Sequence, residues 1–402
     1  MNIKIFTDNI EPSALNQIYT LAKLPVFEDC KIRIMPDVHA GVGCVIGFTA
    51  DLGDKVIPNI VGVDIGCGMK VVCLGKIDIN YEALDRIIRN NIPSGRTVHE
   101  PQDNYKLTRL MKTRMEGVFY KRPYCYHSLK NTQWITASMG TLGGGNHFIE
   151  IDIDDNDNKY LVIHTGSRNL GKQVADYWQS VAVSNMIGNN AIKEQIRKLI
   201  DEYKKTGRQS EIESAIKQIK PSEHIPKDLC YLTGEDRLSY LHDMQICQDF
   251  AVLNRDTIAH YICFLMGWEP LDTFESIHNY VDMDTNMIRK GAISARAGER
   301  VIIPINMRDG CILGVGKGNE DWNCSAPHGA GRILSRSAAK ELITIEEYQH
   351  SMEGIYTNSV CQGTIDESPM AYKPMDEIVK NIAPTVEIER IIKPIYNFKA
   401  VE

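Results

Sequence analysis

The chain has 402 residues, 43% hydrophobic and 24% charged, with a net charge of −7. That balance belongs to a globular protein that can bury a core without disulfide or metal staples, and its acidity excludes a histone-like or tail-like nucleic-acid binder while still allowing a nucleic-acid enzyme whose basic residues gather at the site. The eleven cysteines include no CxxC pair, the opening MNIKIFTDNIEPSALNQ lacks a long apolar region, and no run approaches the roughly 18 apolar residues of a membrane span, so the expectation is a reducing, cytoplasmic compartment and no membrane.

Residues 31–75 alternate short apolar runs with glycine, KIRIMPDVHAGVGCVIGFTADLG and then KVIPNIVGVDIGCGMKVVCLG, a pattern that predicts strands broken by functional turns. Residues 80–92 and 103–117 have helical spacing. A second glycine-rich segment, MGTLGGGNHFIEIDI, leads into YLVIHTGSRNLG, where residues 160–163 read as a buried strand that ends at His164. Residues 171–219 are helical in character, 220–236 read as a polar surface loop with two prolines, and a helix follows from about 238 to 266. Residues 291–318 return to strands and turns, a helix is expected to open near Arg332, Thr344 and Glu347 fit a capping box, and the tail IIKPIYNFKAVE reads as a final strand. Chemistry-bearing residues are spread from Asp37 to Lys399, which predicts one large α+β domain over 1–402 with a mainly helical segment at about 171–266.

Asp64 and Cys67 in GVDIGCGM place a carboxylate and a thiol three residues apart among glycines, where both can face one cation. Taken alone, the pair fits equally a tight turn with a core cysteine. His147 in GGGNHFIE, His164 in VIHTGSRNLG and His278 in IHNYVD change that balance. One carboxylate, one thiolate and three imidazoles suit a borderline transition metal, and five ligands exceed the need of one ion with an open position. Two ions bridged by Cys67 follow, an arrangement that can clamp the attacking and leaving oxygens of a phosphoryl transfer. In SAPHGAGRILSR, His328 precedes a Gly-Ala-Gly turn expected to open a helix, whose N–H groups and dipole would cradle an anion. There the histidine is either a phosphate hydrogen-bond donor or a nucleophile, unless the glycines merely cap a helix beside a surface histidine. Asp37 and His39 share a glycine-flanked turn, and Arg168 in GSRN has the fork that grips a phosphate.

Together these motifs resemble the RtcB family of RNA ligases. MPDVHAGVG, VGVDIGCGM, LGGGNHFIE, HTGSRNLG, LNRD, HNYV, RKGAISARAG, GKGN, HGAGR, DESPMAYK and the terminal lysine occur in order over most of the chain. The resemblance implies an RtcB-type α+β fold with a central metal-binding cleft and two Mn²⁺ ions, one held by Asp64, Cys67 and His147 and the other by Cys67, His164 and His278. It implies that His328 attacks the α-phosphate of GTP and becomes guanylylated; Arg168 and Asp37 are further candidate catalytic residues. The guanylyl group would pass to an RNA 3′-phosphate, opened first from a 2′,3′-cyclic phosphate where needed, and a 5′-hydroxyl would then displace GMP. Such an RNA ligase serves RNA repair or tRNA splicing, and some relatives need an archease-type activator. Nucleotide contacts would come from Asn146, His147, Phe148, Ile149, Glu150, His278, Asn279, Pro304, Ile305, Asn306, Met307, Cys311, His328, Gly329, Ala330, Gly331 and Lys399.

The chain departs from the family pattern in the turn that reaches the guanine. Pro304-Ile305-Asn306-Met307-Arg308 stands where Pro-Gly-Ser-Met-Gly is usual, Cys311 replaces a serine, Ile277 a histidine, and Pro327 a serine. The alternative reading is a nucleotidyltransferase that caps 3′-phosphate ends of DNA or RNA with little sealing. A binding protein that kept the fold would not need the intact ligand set and His328.

Overall fold

In the computed structural model, which describes residues 2–100, 113, 116–118, 120–216 and 225–400, the glycine-punctuated apolar runs become strands. In chain order these are β1 (Asn2–Ile5), β2 (Lys31–His39), β3 (Ile46–Asp51), β4 (Gly68–Gly75), β5 (Phe148–Ile153), β6 (Lys159–Thr165), β7 (Asp272–Ile277), β8 (Tyr280–Asp282), β9 (Met287–Lys290), β10 (Ala292–Ser294), β11 (Arg300–Asn306), β12 (Gly310–Gly316), β13 (Ser325–Pro327) and β14 (Val386–Lys399). They form a seven-stranded sheet ordered β11-β12-β14-β5-β6-β4-β7, a five-stranded sheet ordered β1-β2-β3-β9-β8, and the pair β10-β13. The seven-stranded sheet is antiparallel at every described pairing. Its last written strand, β14, is therefore central, held between β12 and β5. The mixed helix-and-sheet class expected from the sequence is what the structure has.

The helix Gly234–Met266 packs on β4 and β6 and buries residues around most of its circumference, among them Tyr240, Met244, Cys247, Phe250 and Ile258. A helix apolar on all sides belongs between layers. It starts at Gly234, earlier than the apolar spacing indicated, because Glu235 and Asp236 in its first turn suit the positive helix end. Ahead of it, the helical stretch breaks at Gly188 into Arg168–Met186 and Asn189–Lys205, followed by the short Ile212–Ile216. The helix expected at 103–117 falls almost wholly outside the described residues, as does the start of the expected 220–236 loop. Among the described residues no helix is long and apolar enough to cross a membrane.

One expectation needs correction. No helix opens at Arg332; Arg336–Leu342 does so after Ser335, whose hydroxyl accepts from the Ala338 N–H. Gly331 turns the chain at φ 76°, a Cβ there would overlap the Asp37 carbonyl, and Arg332 bridges to Tyr372. Residues 328–335 thus cross Asp37 before the next helix begins. The Thr344–Glu347 capping box forms as its spacing dictates, with both reciprocal bonds present.

Candidate metal centre and active-site cavity

Antiparallel register explains why residues so distant in sequence meet. Phe148 opens β5 opposite His164 near the end of β6, Gly68 opens β4 opposite Thr165, and Ile277 ends β7 opposite Gly68. The residues flanking those strand ends, His147, His164, Cys67 and His278, therefore gather at one edge of the sheet. The His278 N–H donates to the Cys67 carbonyl at 2.8 Å, tying the two outer segments together.

The ligand atoms of Asp64, Cys67 and His147 lie within 4.8 Å of one another, as do those of Cys67, His164 and His278. Cys67 Sγ is 3.5 Å from His147 Nε2 and 3.3 Å from His164 Nε2, and His164 Nε2 is 3.4 Å from His278 Nε2. Nδ1 of His147 faces the Leu142 carbonyl at 2.9 Å and Nδ1 of His164 the Asn146 carbonyl at 3.1 Å. A carbonyl only accepts, so each Nδ1 carries the proton and each Nε2 presents a lone pair inward. Burial, with other histidines beside them, holds His164 and His278 well below the usual imidazole range, so both are neutral.

Lone pairs that face one another across a thiol do not satisfy each other as hydrogen bonds; a cation between them does. Asp64 Oδ1 and His278 Nδ1 are buried without a hydrogen-bond partner. Burial would raise Asp64, but its contacts with His147, Arg168 and Cys67 outweigh it and bring the carboxyl down to about 2. Burial and then Asp64 push the Cys67 thiol well up; a coordinated cation reverses that preference and favours thiolate. The donor set therefore fits a pair of borderline divalent ions sharing Cys67.

His328 reaches the same place from the β10–β13 pair. It follows β13, and its ring centroid lies 4.7 Å from that of His278. The fully buried Asp37, on β2, accepts from His328 Nδ1 at 2.6 Å and from the His328 backbone N–H at 3.1 Å. With Nδ1 fastened, Nε2 is the nitrogen left for chemistry. Gly291 makes room: a Cβ there would press on His328 Cε1 at 3.2 Å.

A cavity of about 540 Å³ opens on this centre. Asn146, Phe148, Glu150, Pro304, Ile305, Asn306, Met307, His328, Gly329, Ala330, Gly331 and Lys399 line it, together with His164. Other expected nucleotide contacts lie elsewhere. Ile149 points to the opposite face of β5, into the core with Leu161 and Phe398, because side chains alternate along a strand. Cys311 is buried beside Glu150 and Asp152 and is absent from the lining. The Asn279 side chain is spent on the Asp64 carbonyl and the Gly291 N–H. Asn306 faces the cavity, but its amide bonds Asp309 and the backbone N–H groups of Arg308 and Asp309, closing the β11–β12 hairpin. Lys399 is no solvated terminal lysine: it is buried, with Nζ 2.7 Å from Glu367 Oε2. Arg168 lies against the ligands, with Nη1 3.2 Å from His147 Nδ1 and Nε unpartnered.

Sequence reasoning missed several positioning residues. Asn254 accepts from the Gly140 and Thr141 N–H groups, and Arg255 donates to the carbonyls of Gly66 and Thr165 while pairing with Glu275. Both are fully buried on the long helix and pin the backbone beside Cys67 and His164. Glu367, which gathers Lys399, Arg332 and Arg336, was also missed. The motifs LNRD and DESPMAYK contained the signal, since a charged residue inside an apolar run needs a buried partner.

Residues 17–400 match the profile of the family described as tRNA-splicing ligase RtcB. Among curated proteins, the chain is 30% identical to RNA-splicing ligase RtcB of Escherichia coli K12, over 96% of this chain and 94% of the relative. It is 26% identical to tRNA-splicing ligase RtcB of Methanococcus maripaludis, over 93% of this chain and 88% of the relative, and 28% identical to that of Nanoarchaeum equitans, over 86% and 83%.

Proposed function

Because the chain belongs to the RtcB family, we propose that it is a GTP- and Mn²⁺-dependent RNA ligase that joins 3′-phosphate or 2′,3′-cyclic phosphate ends to 5′-hydroxyl ends in RNA repair or tRNA splicing. The observation that carries this reading is the His328–Asp37 pair standing at the mouth of a two-cluster ligand set.

Asp64, Cys67 and His147 would hold one Mn²⁺, and Cys67, His164 and His278 the other. When bound, the two ions neutralise charge on phosphoryl oxygens. His328 Nε2 attacks the α-phosphorus of GTP; the N–P bond forms and the bond to pyrophosphate breaks. Asp37 keeps the proton on Nδ1 and balances the positive charge that builds on the ring. An oxygen of the RNA 3′-phosphate then takes the guanylyl group from His328, and the 5′-hydroxyl oxygen attacks the activated 3′-phosphorus and expels GMP. Phe148, Glu150, Asn306 and Lys399 enclose the nucleotide, and Arg168 positions an RNA phosphate. An archease-type partner and a cytoplasmic location accompany this reading.

Incubation with Mn²⁺ and labelled GTP, followed by peptide mapping, tests it. The expected result is an acid-labile phosphoramidate on His328 that is absent from His328→Ala. An adduct on a lysine would overturn the assignment.

A further inference from the structure

Glu150 lines the cavity with two unusual neighbours. Asp152 lies two residues on along β5, on the same face, and Cys311 lies on β12. Ligand atoms of the three fall within 4.8 Å of one another, and all three residues are buried. Asp152 is fully buried, and apart from the Cys311 thiol its carboxylate has no hydrogen-bond partner among the described residues. Glu150 Oε1 accepts one bond, at 2.5 Å, from Asn397 Nδ2 on β14.

The other charged groups facing the pair do not cancel two negative charges. Lys399 on β14 acts on Glu150 by its charge, but it is already engaged by Glu367. Glu367 in turn takes Arg336 at 2.9 Å and Arg332 at 3.4 Å. Cys311, pushed well up by burial and by the two carboxyls, stays a thiol. Two ionised carboxylates side by side in such a site repel, and a single proton held between them removes the repulsion.

We propose that Glu150 and Asp152 share one proton and that this makes Glu150 an ambivalent reader of the purine. As a carboxylate it accepts N1–H and N2–H of guanine; as a carboxylic acid it donates to N1 and accepts N6–H of adenine. This rests on the cavity being the nucleotide site. Asn306 leaves the choice to Glu150, because its own amide is consumed in the hairpin. Burial first, and for Glu150 then Asp152, raises both groups above the ordinary carboxylate range. The shared proton is therefore present in acid and lost as pH rises, so rising pH favours guanine.

The test is competition between labelled GTP and ATP for the His328 adduct from about pH 6 to about pH 8, with Mn²⁺ present. Both nucleotides use the same nucleophile and phosphate contacts, so the ratio cancels the pH dependence of the chemistry. For the natural chain the GTP:ATP ratio should rise about ten-fold over that interval. In Asp152→Asn the competing charge is gone and the amide can donate to Glu150, so the ratio should be high and flat. The natural chain's profile decides the matter even if the variant folds poorly. An adduct whose ratio ignores pH overturns this inference alone; no adduct with either nucleotide overturns the nucleotide-site reading and this with it. A third metal equivalent, lost in Asp152→Asn, would replace the shared proton with an ion and also overturn it.

Discussion

His328 and Asp37 are 291 residues apart and meet at 2.6 Å. The sequence supplied His328 as a candidate because a histidine before Gly-Ala-Gly has few structural uses, yet nothing local to Asp37 names its partner. Asp37→Asn should slow guanylylation of His328 by about 10²-fold or more while leaving GTP affinity nearly unchanged, since an amide no longer balances the imidazolium. Single-turnover adduct formation measures the rate; an unaltered rate would reduce Asp37 to a packing residue. Arg168 holds φ 57° at the start of its helix and directs its guanidinium toward His147 and Asp64. Arg168→Ala should retain bound metal and lose joining. Metal analysis beside a ligation assay separates these outcomes, and a variant that joins normally would return Arg168 to a supporting role. The candidate ligand set stood out because cysteine, histidine and aspartate beside glycine are chemically distinctive. The fates of Asn306, Cys311 and Lys399 did not, because each is fixed by a partner remote in sequence or by the strand face it occupies.

Short apolar runs with glycine breaks gave β2 to β4 and β6, and the capping box gave its helix, because those signals are local. Strands as short as β8, β10 and β13 carry too few residues for a period, and their existence depends on neighbours. The helix expected to open near Arg332 starts instead at Arg336, because Gly331 serves a close crossing of Asp37 rather than a helix start. The long helix matters to the site mainly through Asn254 and Arg255. Arg255→Met would take the side-chain donor from the Gly66 and Thr165 carbonyls and leave the Glu275 carboxylate with Lys70 alone. The expected cost is about 3 kcal/mol or more, read as a lower denaturation midpoint together with weaker metal binding. A stable variant with normal metal affinity would show that the helix does not position the ligands.

Across the molecule, the seven-stranded sheet brings candidate metal ligands together at one end of its strands, and β2 and the turn after β13 supply Asp37 and His328. Cys67 is the residue common to both ligand groups. Cys67→Ala should therefore lose most bound metal, by direct metal analysis, and both nucleotidyl transfer and joining with it; two metals bound normally would refute a shared thiolate. The most direct test of the whole account follows the phosphate. RNA carrying a labelled 3′-phosphate is incubated with a 5′-hydroxyl RNA, GTP and Mn²⁺, and the product is digested and mapped. The account predicts a joined strand with the label retained in the new phosphodiester, formed by the natural chain and not by His328→Ala. Label released as inorganic phosphate, or held in a guanylyl-capped end that accumulates without joining, would contradict it.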